Sequence, residues 1–269
     1  MAGPLGRGAR AGPEDRATAA AVRRPRRARL RRARPAELTS DERIRRAVDT
    51  ALAAIVLVGG RPVVERYAEG IDAATTLPSW SMAKSILHAA VGVLIGEGRL
   101  SLDAPAPVPG ATLEDLLAMR DGLAWQEHYE PGAPSDVQEM LFGAGRADTA
   151  AFTLGRSVAH PPGEVFCYSS GTTNVVSSMV ADVVGRGDAY LAWLRSAVLE
   201  SAGMPSAVPK FDGAGVWIAS SFCYSTAPEL AAFGRRCLDG GTGWLPAGWI
   251  AEGTRLRSRD ADGQGYGLH

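Results

Sequence analysis

Residues 78–87 read PSWSMAKSIL. Of the 29 basic residues in this 269-residue chain only two are lysines, Lys84 and Lys210, and Lys84 falls three positions after a serine. The run that follows, SMAKSILHAAVGVLIGEG, is rich in Ala, Leu, Ile and Val on most of its helical circumference. That pattern predicts a largely buried helix that begins at Ser81 and ends at Gly96 or Gly98. On such a helix Ser81 and Lys84, at i and i+3, share one face. A serine hydroxyl is a weak nucleophile without a base beside it, and lysine becomes a base when burial or nearby positive charge lowers its pKa toward neutrality. Arginine stays protonated and cannot replace it. Trp80, Met82, Ile86 and Leu87 are the residues expected to keep the ammonium dry. The helix start also leaves the Ser81 N–H without an intrahelical acceptor, free to face an oxyanion.

Outward from this segment the chain alternates short extended runs with helices. AAIVLV and PVVERYAEG, around Gly59-Gly60, predict a hairpin. TLEDLLAM begins a helix with Thr112 as cap and Glu114 and Asp115 in its first turn. SDVQEMLFG, DTAAFTLGRS, TTNVVSSMVADVVG, DAYLAWLRSAVLESAG, APELAAFGRRCLDGG and PAGWIAEGTR also read as helices, and GVWIASSFCYST as a strand. A strand–helices–strand order predicts an α+β fold, one sheet packing the helices from the middle of the chain.

A second cluster, HPPGEVFCYSSGTTN, places Tyr168 in a proline-bounded loop just before a helix. A tyrosine there can relay protons among the serine, the lysine and a leaving group. SMAKS, TLEDLLAMRDGLAWQEHY, HPPGEVFCYSSGTTNVV and WIASSFCYSTAPELAAFG, in that order, resemble the serine β-lactamase and penicillin-binding-protein superfamily, most of all its class C-like esterases and 6-aminohexanoate-oligomer hydrolases. The resemblance covers residues from about 50 to 269. It implies an antiparallel sheet flanked by helices, joined to an all-helical region, with the site between them. It implies Ser81 as acylated nucleophile, Lys84 as its base and Tyr168 as proton relay. Where the superfamily often has Tyr-x-Asn, this chain has Tyr168-Ser169-Ser170, so Ser170 is the expected substrate-binding residue. The superfamily's third motif, Lys or His, a small residue and Gly on a late strand, has no counterpart. The GGTG of 240–243 lacks the cation, and the chain ends in DGQGYGLH. The expectation is a domain over 37–269 that is C-terminally incomplete.

Charge divides the chain. The 29 basic and 29 acidic residues cancel overall, yet residues 1–36 are arginine-rich with Glu14 and Asp15 as their only acids. This arm, without aromatic residues, is expected to be disordered. It supports an alternative role in binding nucleic acid or an anionic surface, although no specific nucleic acid is expected. Cys167, Cys223 and Cys237 show neither CxxC spacing nor an even count, and the four histidines show no metal spacing, so neither metal nor cofactor is expected. His88 reads as a helix packing residue, His160 as a loop residue and His128 as a candidate rim of the cleft. With no export signal, the expected compartment is the cytoplasm. The expected activity is hydrolysis of a small-molecule ester or amide through an acyl-enzyme on Ser81, and its rival is an impaired pseudoenzyme of the same fold.

Overall fold

The structure, a computed structural model, describes residues 42, 43, 46, 48–130 and 132–269. The chain divides into two units, Met1–Arg43 and Ile44–His269, and the strands and helices from Ala53 onward all belong to the second. The arginine-rich arm lies outside the described residues.

Two strands, β1 (Ala53–Val58) and β2 (Arg61–Tyr67), pair antiparallel with Val58 opposite Arg61. Gly59 and Gly60 both take positive φ, which a two-residue hairpin loop demands and only glycine adopts freely. A register shift between Val56 and Leu57 kinks β1. Two-residue β3 (Leu77–Pro78) then leads to the long helix α1 (Met82–Gly96). Ala83, Ile86, Leu87, Ala89, Ala90, Val91 and Leu94 are buried around it, so this helix is the centre of the core. Gly92 lets the Trp249 indole lie against its backbone, where the Nε1–H donates to the His88 carbonyl at 3.0 Å.

Helix α2 (Leu113–Leu117) begins at a complete capping box. Thr112 Oγ1 accepts from the Asp115 N–H, and the Asp115 carboxylate accepts from the Thr112 N–H. The helices α3 (Asp136–Phe142), α4 (Thr149–Leu154) and α5 (Ser170–Val184) follow, the last capped by the Ser169 hydroxyl accepting from the Thr172 N–H at 2.9 Å. Next come α6 (Asp188–Leu194), one π-helical turn over Arg195–Leu199, and α7 (Glu200–Ala202). Strand β4 (Val208–Pro209) and β3 flank β5 (Cys223–Ser225) in a three-stranded antiparallel sheet. Helix α8 (Ala227–Leu238), with its own Thr226–Glu229 capping box, packs on β1. The last elements are α9 (Trp249–Thr254) and the pair β6 (Ser258–Arg259) and β7 (Gly265–Tyr266).

The α+β architecture agrees with the sequence, in three small antiparallel sheets among the described residues rather than one. The segment 215–222, expected to be strand, is mostly turns with a single bridge, Phe211 to Trp217. Its polar groups explain why. The Ser220 N–H donates to Asn174 Oδ1 at 3.1 Å and the Ser220 carbonyl accepts from Lys84, so the backbone is spent on side chains rather than on a ladder. No helix among the described residues is long and apolar enough to cross a membrane.

Candidate active site

The path into α1 is a sharp strand–turn–helix. Ser79 is buried, and its hydroxyl accepts from the Cys223 N–H at 3.1 Å, which locks the end of β3 against β5. Trp80 then takes φ +46°, a conformation that costs a non-glycine residue about 1 kcal/mol. The turn delivers Ser81 to the N-cap of α1 with helical φ and ψ, its side chain on the surface and its N–H without an acceptor among the described residues. The positive end of the helix dipole adds to that N–H wherever negative charge develops.

Two distant segments of the sequence converge here, one carrying Ser81 and Lys84 and the other Tyr168 and Ser170. Ser81 Oγ lies 2.9 Å from the Tyr168 hydroxyl, which donates to it, and 3.3 Å from Lys84 Nζ. Lys84 Nζ also donates to Ser170 Oγ at 3.2 Å and to the Ser220 carbonyl at 3.0 Å, and it lies 4.9 Å from the centre of the Tyr168 ring. Only 2% of Lys84 is exposed. Burial pushes its pKa down to about 8, against the pull of the Glu127 carboxylate, which favours the charged form. Tyr168 is raised, chiefly by its own burial, while the bond to Ser81 acts the other way.

Lys84 is kept dry by a different set of residues from the one expected. Ile86 and Leu87 are buried, but Trp80 and Met82 are 53% and 52% exposed and point outward from the first turn. The ammonium is enclosed instead by Tyr168, Ser170 and the backbone at Ser220. Ser170 also differs in setting from a substrate contact. It is 1% exposed and sits behind the lysine, its hydroxyl accepting from Lys84 and donating to Glu127 Oε1 at 2.8 Å.

Glu127 is the residue that sequence reasoning missed. Its Oε1 accepts from the Ser170 and Tyr129 hydroxyls at 2.8 and 2.7 Å, and its Oε2 from the Ser170 N–H and the Trp125 indole at 2.7 and 2.8 Å. All four acceptor sites of the carboxylate are used, so it ties the 125–129 loop to the start of α5 and sets a negative charge behind Lys84. The alternation Trp125, Glu127, Tyr129 was the available signal. In an extended segment these three share a face.

A cavity of about 470 Å³ opens over Ser81, walled by Trp80, Tyr129, Leu141, Phe142 and Ser221. Exposed His128 contributes only its carbonyl, which accepts from Gln138, and is absent from that wall. His88 is buried and stacks on Trp249 at 4.6 Å. The GGTG segment is a turn after α8, where Thr242 caps the Asp239 carbonyl. All three cysteines are free thiols.

No curated protein sequence matches the chain significantly. Among solved structures it is similar to a protein designated a 6-aminohexanoate-dimer hydrolase from Bacillus anthracis (TM-score 0.68, 20% identity, over 84% of this chain and 66% of that one). It is also similar to a penicillin-binding protein from Bacillus halodurans (TM-score 0.65, 17% identity, 80% and 78%) and to a beta-lactamase from Mycobacterium bovis (TM-score 0.60, 22% identity, 80% and 69%). The chain therefore spans 66% of the length of the first of these. At such identities the likeness concerns the fold, a β-lactamase/transpeptidase-like one. The beta-lactamase family profile matches residues 41–269, which include every residue of the Ser81 cluster, and the chain belongs to the beta-lactamase family.

Proposed function

We propose that residues 37–269 form a serine hydrolase domain that cleaves a small ester or amide through an acyl-enzyme on Ser81. The observation that carries this reading is the position of Ser81 Oγ between the Tyr168 hydroxyl and a buried lysine whose pKa lies near 8. In the deprotonated form Lys84 accepts the Oγ proton as Oγ bonds to the substrate carbonyl carbon. The carbonyl oxygen gains negative charge and faces the Ser81 N–H at the helix start. On collapse the bond to the leaving alcohol or amine breaks, and Tyr168 passes a proton to the departing atom. Water then attacks the acyl carbon, the same groups return the proton to Ser81 Oγ, and a carboxylic acid leaves. Ser170 orients the Lys84 amine from behind, a positioning role suited to its burial.

The test is covalent labelling with a fluorophosphonate, read by intact mass, together with turnover of p-nitrophenyl butyrate, in the wild type and in Ser81→Ala. One adduct and measurable turnover are expected in the wild type, and neither in the variant, whose thermal unfolding should be unchanged because the side chain is on the surface. Undiminished turnover in Ser81→Ala would remove Ser81 from the mechanism. Labelling without turnover in the wild type would instead mark an acylating protein that does not release its product.

A further inference from the structure

The three polar partners of Lys84 Nζ fix the direction in which its amine points. Once the ammonium has lost a proton, the nitrogen carries two N–H bonds and one lone pair. The Ser220 carbonyl, at 3.0 Å, can only accept. Ser170 Oγ, at 3.2 Å, spends its own hydrogen on the Glu127 carboxylate at 2.8 Å, so toward Lys84 it too accepts. Both N–H bonds are thereby claimed, and the lone pair is left for the third partner, Ser81 Oγ at 3.3 Å. Ser81 Oγ accepts from the Tyr168 hydroxyl at 2.9 Å, which leaves its own hydrogen free for that lone pair.

The direction of the amine thus needs the Ser220 carbonyl as much as it needs Ser170. Ser220 is buried in an irregular turn, and its N–H donates to Asn174 Oδ1 at 3.1 Å. Asn174 is itself fully buried, and its Nδ2 contacts Met140 Sδ at 3.5 Å, which turns the amide oxygen toward Ser220. A buried amide is costly unless such bonds are made, and an apolar residue would fill the same core position without them. Asn174 follows Ser170 by four residues on α5, so the two share a face of that helix. One helix face therefore supplies both claims on Lys84, directly from Ser170 and through Ser220 from Asn174. Asn174 is absent from the wall of the cavity over Ser81.

We propose that Asn174 is a positioning residue for the Ser81 reaction. By holding the Ser220 N–H it keeps the Ser220 carbonyl on Lys84, and that carbonyl together with Ser170 turns the lone pair of the free amine toward Ser81. The proposal rests on the hydrolase reading for the use made of that lone pair, while the latch itself is read from hydrogen bonds that need no substrate. The charged and titratable groups around Lys84 are the Glu127 carboxylate behind Ser170, the Tyr168 ring at 4.9 Å, and the imidazoles of His88 and His269. Burial lowers the two histidines to about 4 and about 3, so both stay neutral where Lys84 titrates.

The test uses the scarcity of lysine. Lysine labelled with ¹³C at Cε gives two resonances, from Lys84 and Lys210, and Lys210→Gln identifies which is which. Asn174→Leu keeps the volume and removes the acceptor, so the ammonium loses one of its three acceptors and the Lys84 midpoint should fall by about one pH unit. The plateau of kcat/KM for p-nitrophenyl butyrate above pH 9, where the amine is already free, should fall about tenfold because the lone pair is no longer aimed. Asn174→Ala, which removes the acceptor without bulk, should show the same two changes. Asn174→Asp keeps the acceptor, so its midpoint should hold or rise and its plateau should stay within about twofold of the wild type. A merely structural Asn174 would lower thermal stability while leaving midpoint and plateau in place, and that result overturns the proposal. An aspartate variant that loses as much as the leucine variant overturns it too. Failure of the hydrolase reading shows differently, as no turnover of any ester in any of these proteins. The Lys84 midpoint then decides alone: a fall in Asn174→Leu but not in Asn174→Asp upholds the latch, and an unchanged midpoint in both refutes it.

Discussion

Glu127→Gln separates the charge of Glu127 from its hydrogen bonds. The amide is close to the carboxylate in shape. Its oxygen can keep the Trp125 indole and the Ser170 N–H, while its NH₂ donates to the Ser170 and Tyr129 hydroxyls once those rotate. What disappears is the negative charge. Ser170 Oγ lies 3.2 Å from the Lys84 ammonium and 2.8 Å from the Glu127 carboxylate, which puts the two charges within about 6 Å of each other. With an effective dielectric constant between about 20 and 80, their attraction is about 0.7 to 3 kcal/mol, or about 0.5 to 2 pH units in the lysine pKa.

The sign comes from the chemistry. Lys84 titrates near 8 in the wild type, so at neutral pH about one molecule in ten holds the free amine, and kcat/KM for an ester should rise about tenfold between pH 7 and pH 9. Glu127 favours the ammonium, so its removal lowers the lysine pKa and moves that rising limb to lower pH by about one unit. The plateau above pH 9 should change little, because the base is already deprotonated there and becomes only slightly weaker. The assay is kcat/KM for p-nitrophenyl butyrate from pH 5.5 to 9.5, with thermal unfolding as a check on the fold. A limb that stays in place, or moves to higher pH, refutes the claim that Glu127 sets the protonation of Lys84.

Lys84→Arg should be nearly as inactive as Lys84→Ala. The guanidinium keeps the charge but cannot lose its proton, so substantial ester turnover in the arginine variant would show that Lys84 supplies charge alone. Gly92→Ala should cost about 1 to 3 kcal/mol of stability by chemical denaturation, because the new Cβ meets the Trp249 indole and displaces its bond to the His88 carbonyl. An unchanged midpoint would mean that the indole repacks without loss.

The parts of the site that are legible in the sequence are those whose logic is local. Ser81 and Lys84 meet because they are three apart on one helix, and the apolar run behind them marks that helix as buried. Tyr168 is one step less local, marked by a proline-bounded loop that ends at a helix cap. Glu127 is opaque for the opposite reason. Its partner Ser170 is 43 positions away, and an acid in a polar loop has the composition of a solvated one. The 215–222 segment misleads for a related reason. Val216, Trp217 and Ile218 favour strands, but Lys84 and Asn174, side chains from two helices, claim the backbone around Ser220. Trp80 and Met82 read as core from their hydrophobicity, whereas the turn before α1 aims them at solvent.

The exposure of Trp80 has a cause in the backbone. Ser79 fixes the strand end through its bond to Cys223, and α1 must start at Ser81 for Lys84 to reach its pocket, so the single residue between them has to reverse the chain. A positive φ at Trp80 accomplishes this at a cost of about 1 kcal/mol, and glycine would do so without strain. The tryptophan at this position places an indole beside the nucleophile, at the mouth of the Ser81 cavity and in ring contact with Phe222. The same turn thus exposes Ser81 Oγ and sets an aromatic ring at the mouth of its cavity. The proposed reaction therefore depends on one strained residue, positioned by the pairing of β3 with β5.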